Sequence, residues 1–98
     1  MRSANALVLS AGSFPQLKTL VLKDMPHVNE LKIMDGALPC IDGLYVVSLS
    51  KLGKVPQGIE SLGSLKKLWL LRLHRDFKTQ WDMNGMHQKM TRVPEVRV

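Results

Sequence analysis

Leu38-Pro39-Cys40-Ile41-Asp42-Gly43-Leu44-Tyr45-Val46 decides the fold, because its apolar skeleton recurs 24 residues earlier and 24 residues later. Phe14, Leu17, Leu20 and Leu22 become Leu38, Ile41, Leu44 and Val46, which in turn become Leu62, Leu65, Leu68 and Leu70. The segment after each strand repeats as well, with Met25, Val28 and Leu31 returning as Leu49, Leu52 and Val55. Pro15 and Pro39 also coincide, each just after the first apolar residue of its copy, where a proline forfeits no ladder hydrogen bond.

A self-similar period of roughly 20–29 residues with an L-x-x-L-x-L core is the signature of leucine-rich repeats. The expected fold is an α/β repeat, a short leucine-rich-repeat solenoid with parallel strands on the concave face, irregular or one-turn helical segments opposite, and a C-terminal capping tail. Residues 1–13 read as the remainder of a truncated preceding repeat, with Leu7, Val8 and Leu9 as its last apolar run. Residues 14–37 and 38–61 read as leucine-rich repeats, 62–75 as the last repeat strand and 76–98 as the capping tail. Leu20 and Leu22, and Leu44 and Val46, point inward by the strand period of two. The run Leu68 to Leu73 reads as the longest strand. Pro56 is placed to start a helical turn with Ile59 and Leu62 on one face.

After His74 the 24-residue pattern stops, because Lys89, Arg92 and Pro94 stand where a fourth copy needs apolar residues. Phe77 and Trp81, four apart, suit one face of a short helix, and Asn84-Gly85 suits a turn. Met86, Met90, Val93 and Val96 are then expected to fold back over the third copy. Met83, Met86 and Met90 read together as adaptable gap-fillers of this cap.

At 98 residues the chain is one small domain or a piece of a larger protein, and 45% hydrophobic against 22% charged residues fits a globular chain better than a disordered one. The formal charge of +6 accumulates late, yet its cations are scattered among other residues, which points to a solvated face. The single Cys40 forms no internal disulfide, and no Asn is followed by a glycosylation sequon, which suggests a reducing setting. The run Ala6-Leu7-Val8-Leu9 is short for a signal peptide, and nothing approaches the ~20 apolar residues of a membrane helix. A soluble, cytoplasmic protein is expected.

The segments Phe14-Pro15-Gln16-Leu17-Lys18-Thr19-Leu20-Val21-Leu22, Val55-Pro56-Gln57-Gly58-Ile59-Glu60-Ser61-Leu62 and Leu65-Lys66-Lys67-Leu68-Trp69-Leu70 resemble the last repeats of plant coiled-coil, nucleotide-binding, leucine-rich-repeat disease-resistance proteins. The tail, with Asp76-Phe77-Lys78 and Val93-Pro94-Glu95-Val96, looks like the end of cereal-type members. The resemblance covers nearly the whole chain. It implies a part in innate immunity, through pathogen sensing and restraint of the receptor. The partner it implies is a protein: a pathogen effector, a host guardee or the receptor's own nucleotide-binding region. No ATP or ADP cofactor is carried over, since the nearest P-loop spacing, Gly53 to Gly58, is followed by Ile59-Glu60 in place of Lys-Ser/Thr. The alternative is a structural end-cap or truncated stub of such a receptor, without a partner site of its own.

If successive strands lie side by side, three outward rows follow: Thr19, Gly43 and Lys67; Val21, Tyr45 and Trp69; Lys23, Val47 and Leu71. The middle row is apolar and aromatic, and large aromatic side chains are enriched at contact surfaces. These rows are the expected partner-binding face; the alternative is that the tail or a further part of a parent receptor covers Trp69.

No catalytic reading has residues behind it. His27, His74, His87 and Cys40 lack zinc-ligand spacing, Cys40 shares its register with Gln16 and Ser64, and no nucleophile elbow is present. Lys66, Lys67, Arg72, Arg75 and Lys78 beside Trp69 and Trp81 could form a nucleic-acid patch with stacking aromatics, but Lys66 and Lys67 fill variable repeat positions. A nucleic-acid partner is therefore disfavoured. Roughly three repeats are the minimum for a stable array, so the isolated chain is expected to self-associate or to melt at low temperature.

Overall fold

Alternation within each strand sends leucine-type side chains one way and the residue between them the other, and burial follows it. The computed structural model describes residues 6–12 and 14–98, so the remaining part of the expected 1–13 unit, Met1 to Asn5 and Ser13, lies outside the described residues. The elements in order are β1 (Ala6–Leu9), β2 (Thr19–Lys23), β3 (Glu30–Ile33), β4 (Gly43–Val47), a 3-10 turn (Ile59–Ser61), β5 (Lys67–Leu71), α1 (Phe77–Met83), α2 (Met86–Lys89) and β6 (Glu95–Arg97). They form a small α/β domain with two parallel sheets, one of order β2-β4-β5-β6 and one of order β1-β3.

The strand pairing keeps the 24-residue register. Thr19 lies beside Gly43 and Gly43 beside Lys67, with the same step along each strand to Lys23, Val47 and Leu71. Turn hydrogen bonds repeat at the same interval: Leu17 N donates to Phe14 O, Ile41 N to Leu38 O and Leu65 N to Leu62 O. So does backbone conformation, for Asp24, Ser48 and Arg72 all adopt a left-handed φ, 57°, 62° and 54°, directly after their strands. That conformation ends each strand by turning the chain. It is why β5 stops at Leu71 and is no longer than β2 or β4, although the run of leucines to Leu73 suggests a longer one.

Burial is deepest in the middle copy. Ile41, Leu44, Val46, Leu49 and Leu52 are wholly enclosed, whereas their equivalents Leu17 and Leu20 are only partly covered. The face opposite the four-stranded sheet differs from the expected irregular or one-turn helical segments, since β1 and β3 pair in parallel there, Leu7 beside Leu31 and Leu9 beside Ile33. The chain from the next copy joins them through Ile33 N to Gln57 O (2.7 Å) and Gln57 N to Leu31 O (3.0 Å). Only after this approach, at Gly58, does the anticipated helical turn form, with Ile59 and Leu62 buried.

The tail contains an element with no counterpart in the sequence reading: β6 extends the sheet in parallel, Leu68 beside Val96 and Trp69 beside Arg97. It belongs to a fourth copy of the skeleton at a spacing of 28, in which Met90, Val93, Val96 and Val98 take the places of Leu62, Leu65, Leu68 and Leu70. The turn bond recurs too, Val93 N to Met90 O at 3.0 Å. The longer spacing has a geometric origin. A helix advances ~1.5 Å per residue against ~3.3 Å for a strand, so an arm carrying α1 and α2 needs more residues to return to the same edge.

Phe77 and Trp81 are buried and stacked at 6.1 Å, with His87 edge-on to Trp81 at 6.2 Å. Met86 and Met90 fill the core as expected, but Met83 does not, being 74% exposed at the end of α1.

Candidate interaction surface

The period-two alternation puts the residue between two core side chains on the outer face of β2, β4 and β5. All eight residues expected at the partner face lie on these strands in matched register: Thr19, Val21 and Lys23 on β2, Val47 and Tyr45 on β4, Lys67, Trp69 and Leu71 on β5. Thr19, Lys23 and Lys67 are exposed, Val47, Tyr45, Trp69 and Leu71 half-buried, and Val21 is 54% exposed despite its apolar side chain.

The middle row is packed along its length. The Tyr45 and Trp69 rings meet edge to face at 5.0 Å and 72°, the geometry their quadrupoles favour. Tyr45 also folds back over Gly43, whose missing side chain makes the room: a Cβ there would lie 2.9 Å from Tyr45 Oη. Gly43 is in consequence buried rather than a gap in the first row.

The tail contributes two residues to this face that the sequence reading did not place there. Glu95 enters the first row beside Lys67, and Arg97 enters the middle row beside Trp69. Trp69 Nε1 donates to Glu95 Oε2 at 2.6 Å, Arg97 Nε lies 3.4 Å from the same oxygen, and the Arg97 guanidinium sits 5.2 Å from the Trp69 ring centre. Trp69 is thus held on three sides, by Tyr45, Glu95 and Arg97. The Trp69 N–H holds the Glu95 carboxyl below its ordinary range; desolvation opposes this, and Arg97 and Lys67 reinforce it. A spacing allowed to drift from 24 to 28 would have exposed both residues from sequence alone.

Elsewhere the groups singled out in the sequence remain apart. Cys40 and His27 are exposed, His74 lies 3.6 Å from Asp76 and His87 3.6 Å from Asp82, and among the described residues no three metal-ligating side chains converge. Trp81, on the inner side of α1, is wholly buried and is not accessible for base stacking beside the basic cluster. No helix of the described residues is long and apolar enough to cross a membrane.

Comparison with known proteins finds plant disease resistance proteins. Disease resistance RPP8-like protein 3 of Arabidopsis thaliana is 30% identical over 91 residues, covering 93% of this chain and 10% of the relative. The chain is similar along nearly its whole length to plant disease resistance proteins. Disease resistance protein RPP8 is 28% identical over 92 residues, and probable disease resistance protein RF45 is 30% identical over 95, covering 96% of this chain and 9% of that protein. The chain therefore spans about a tenth of the length of the curated relatives it matches. No protein-family model matches it, and no solved structure does.

Proposed function

We propose that this chain is a leucine-rich-repeat solenoid segment of a plant disease-resistance receptor, and that its four-stranded face is a non-enzymatic protein-binding surface working in the cytoplasm. The units are 14–37, 38–61 and 62–75, with 76–98 closing the array. The observation that carries this reading is the lateral aromatic row. Strands repeating at 24 residues set Val21, Tyr45 and Trp69 side by side on the outer face, and Tyr45 and Trp69 bury much area at little entropic cost. Homology to disease resistance proteins supports the setting.

A chimera tests it. This chain replaces the matched segment of a full-length relative, with and without alanine at Tyr45 and Trp69, and partner association and the defence response are recorded at matched protein level. The double variant is expected to lose association. Unchanged association with every partner would refute the surface.

A second reading, the structural end-cap, is favoured by one specific observation: Glu95 and Arg97 of the tail already occupy Trp69. It predicts that chimeras differ only in protein level.

A further inference from the structure

The protein carries a charged fork at one end of the aromatic row. Arg97 is oriented twice, by its 5.2 Å approach to the Trp69 ring and by Nε at 3.4 Å from Glu95. Its hydrogen bond to Glu95 uses Nε alone, and neither Nη makes one among the described residues. An oriented guanidinium with free Nη donors matches a carboxylate bidentately, a geometry a lysine does not supply. The surrounding charge is one-sided. Lys23, Lys67 and Arg97 project from the rows against Glu95 alone, whose Oε2 is already taken by Trp69 Nε1 and Arg97.

At the other end, Val21 and the Tyr45 edge form an apolar shelf. Neighbouring strands are ~4.8 Å apart, so Tyr45 lies two strands, ~10 Å, from Arg97 and Val21 three strands, ~14 Å. An extended peptide covers that distance in about three or four residues at ~3.3 Å each.

We propose that the face binds an extended acidic segment of a partner protein, its carboxylate on the Arg97 fork beside Lys67 and an apolar side chain three or four residues away on Val21 and Tyr45. This rests on the interaction-surface reading above and specifies its ligand.

The probes are fluorescein-labelled, end-blocked heptapeptides of sequence Glu-Glu-Ser-Ser-Leu-Leu-Ser, with Gln or Lys replacing both Glu, each in both directions. They are titrated against the full chain by anisotropy at ~0.15 M salt, where screening suppresses the general attraction of a cationic protein. The acidic peptide is expected to bind at least tenfold tighter than the Gln peptide. Arg97→Gln should abolish that preference, Arg97→Lys restore part of it, and Lys67→Gln weaken it; Tyr45→Ala should weaken every peptide. Near-ultraviolet circular dichroism verifies that each variant is folded. Equal binding of the Gln or Lys peptide, still dependent on Tyr45, overturns the acidic ligand and leaves the contact surface standing. Acidic binding indifferent to both Arg97→Gln and Tyr45→Ala overturns both. Absence of binding overturns the acidic ligand, while the chimera decides the surface independently. Displacement of the acidic peptide by a single-stranded RNA oligomer of equal charge also overturns it.

Discussion

Gly58→Ala tests the most tightly packed glycine among the described residues. Gly58 has a φ of 88°, and a Cβ on it would lie 1.9 Å from Ile33 O, a backbone atom that no side-chain rotation moves aside. Two costs add. An alanine in the left-handed region loses ~1–2 kcal/mol. Relieving the overlap must then separate the segment from β3, breaking Ile33 N to Gln57 O and Gln57 N to Leu31 O, at ~1 kcal/mol each. The expected loss is ~3–4 kcal/mol, a large part of the ~5–15 kcal/mol that a domain of this kind possesses. Two further glycines separate the terms. Gly85→Ala shares the positive φ but meets no atom within 4 Å, so it should cost only the conformational part, ~1–2 kcal/mol. Gly63→Ala has open space and no positive φ, so its effect should stay within ~0.5 kcal/mol. Urea unfolding followed by far-ultraviolet circular dichroism measures all three. If Gly58→Ala costs no more than Gly85→Ala, the close packing of Gly58 on β3 is refuted.

Four other outcomes follow from the same coordinates. Met90→Ala should cost ~2–5 kcal/mol as a buried position of the fourth copy, while Met83→Ala, on an exposed side chain, should be near neutral in the same denaturation assay. Arg72→Gly, which relieves a left-handed φ of 54° on an exposed residue, should raise stability by ~0.5–1 kcal/mol after the extra chain entropy of glycine, read as a higher Tm. Because its pKa is lowered in the folded state, Glu95 contributes stability that is present above its unfolded value and lost as pH falls through the folded one. The stability difference between wild type and Glu95→Gln should therefore be constant from pH ~7 to ~5.5 and shrink on acidification below ~4.5, as thermal melts at each pH record. Finally, Val21 on the edge strand β2 and Phe14 in the turn that precedes it are both exposed apolar side chains, so sedimentation velocity should show concentration-dependent self-association of the chain that Phe14→Ser reduces.

What the sequence made legible was the part in which side-chain type and spacing carry the same message. Leu44 and Val46 are apolar at period two within a strand and at period 24 between strands, so their burial and their neighbours follow from the same pattern. The second sheet was hidden because β3 reads Glu30-Leu31-Lys32-Ile33, and its pairing depends on a backbone approach that Gly58 permits rather than on any apolar periodicity of its own. β6 was hidden for another reason. Its copy is apolar at the correct internal intervals, but two helices in the preceding arm displaced it by four residues, and a rigid period lands on Lys89, Arg92 and Pro94 instead of Val93, Val96 and Val98. The candidate face was legible in its β-branched and aromatic members and illegible in Glu95 and Arg97, since their place depends on that displaced strand.

The position of those two residues bears on which of the two functional readings deserves the first experiment. Closing the array requires burial of the apolar flank of β5, and Met90, Val93, Val96 and Val98 accomplish this without Glu95 or Arg97. An exposed ion pair adds little to stability, and the Arg97 side chain is 61% exposed. The contact of Glu95 and Arg97 covers part of Trp69, as the end-cap reading expects, but closing the array does not itself require a charged pair there. Their convergence does fix the orientation of Trp69 and of the Arg97 fork before any partner arrives, which lowers the ordering cost of binding. If that is its consequence, Glu95→Gln should weaken capture of the acidic peptide even though Glu95 itself carries a charge that repels it. A cap with no partner site predicts the opposite sign, since removing a carboxylate from a cationic face can only favour an anion. Anisotropy titration of Glu95→Gln thus separates preorganisation from simple charge, and tighter binding by that variant would refute it.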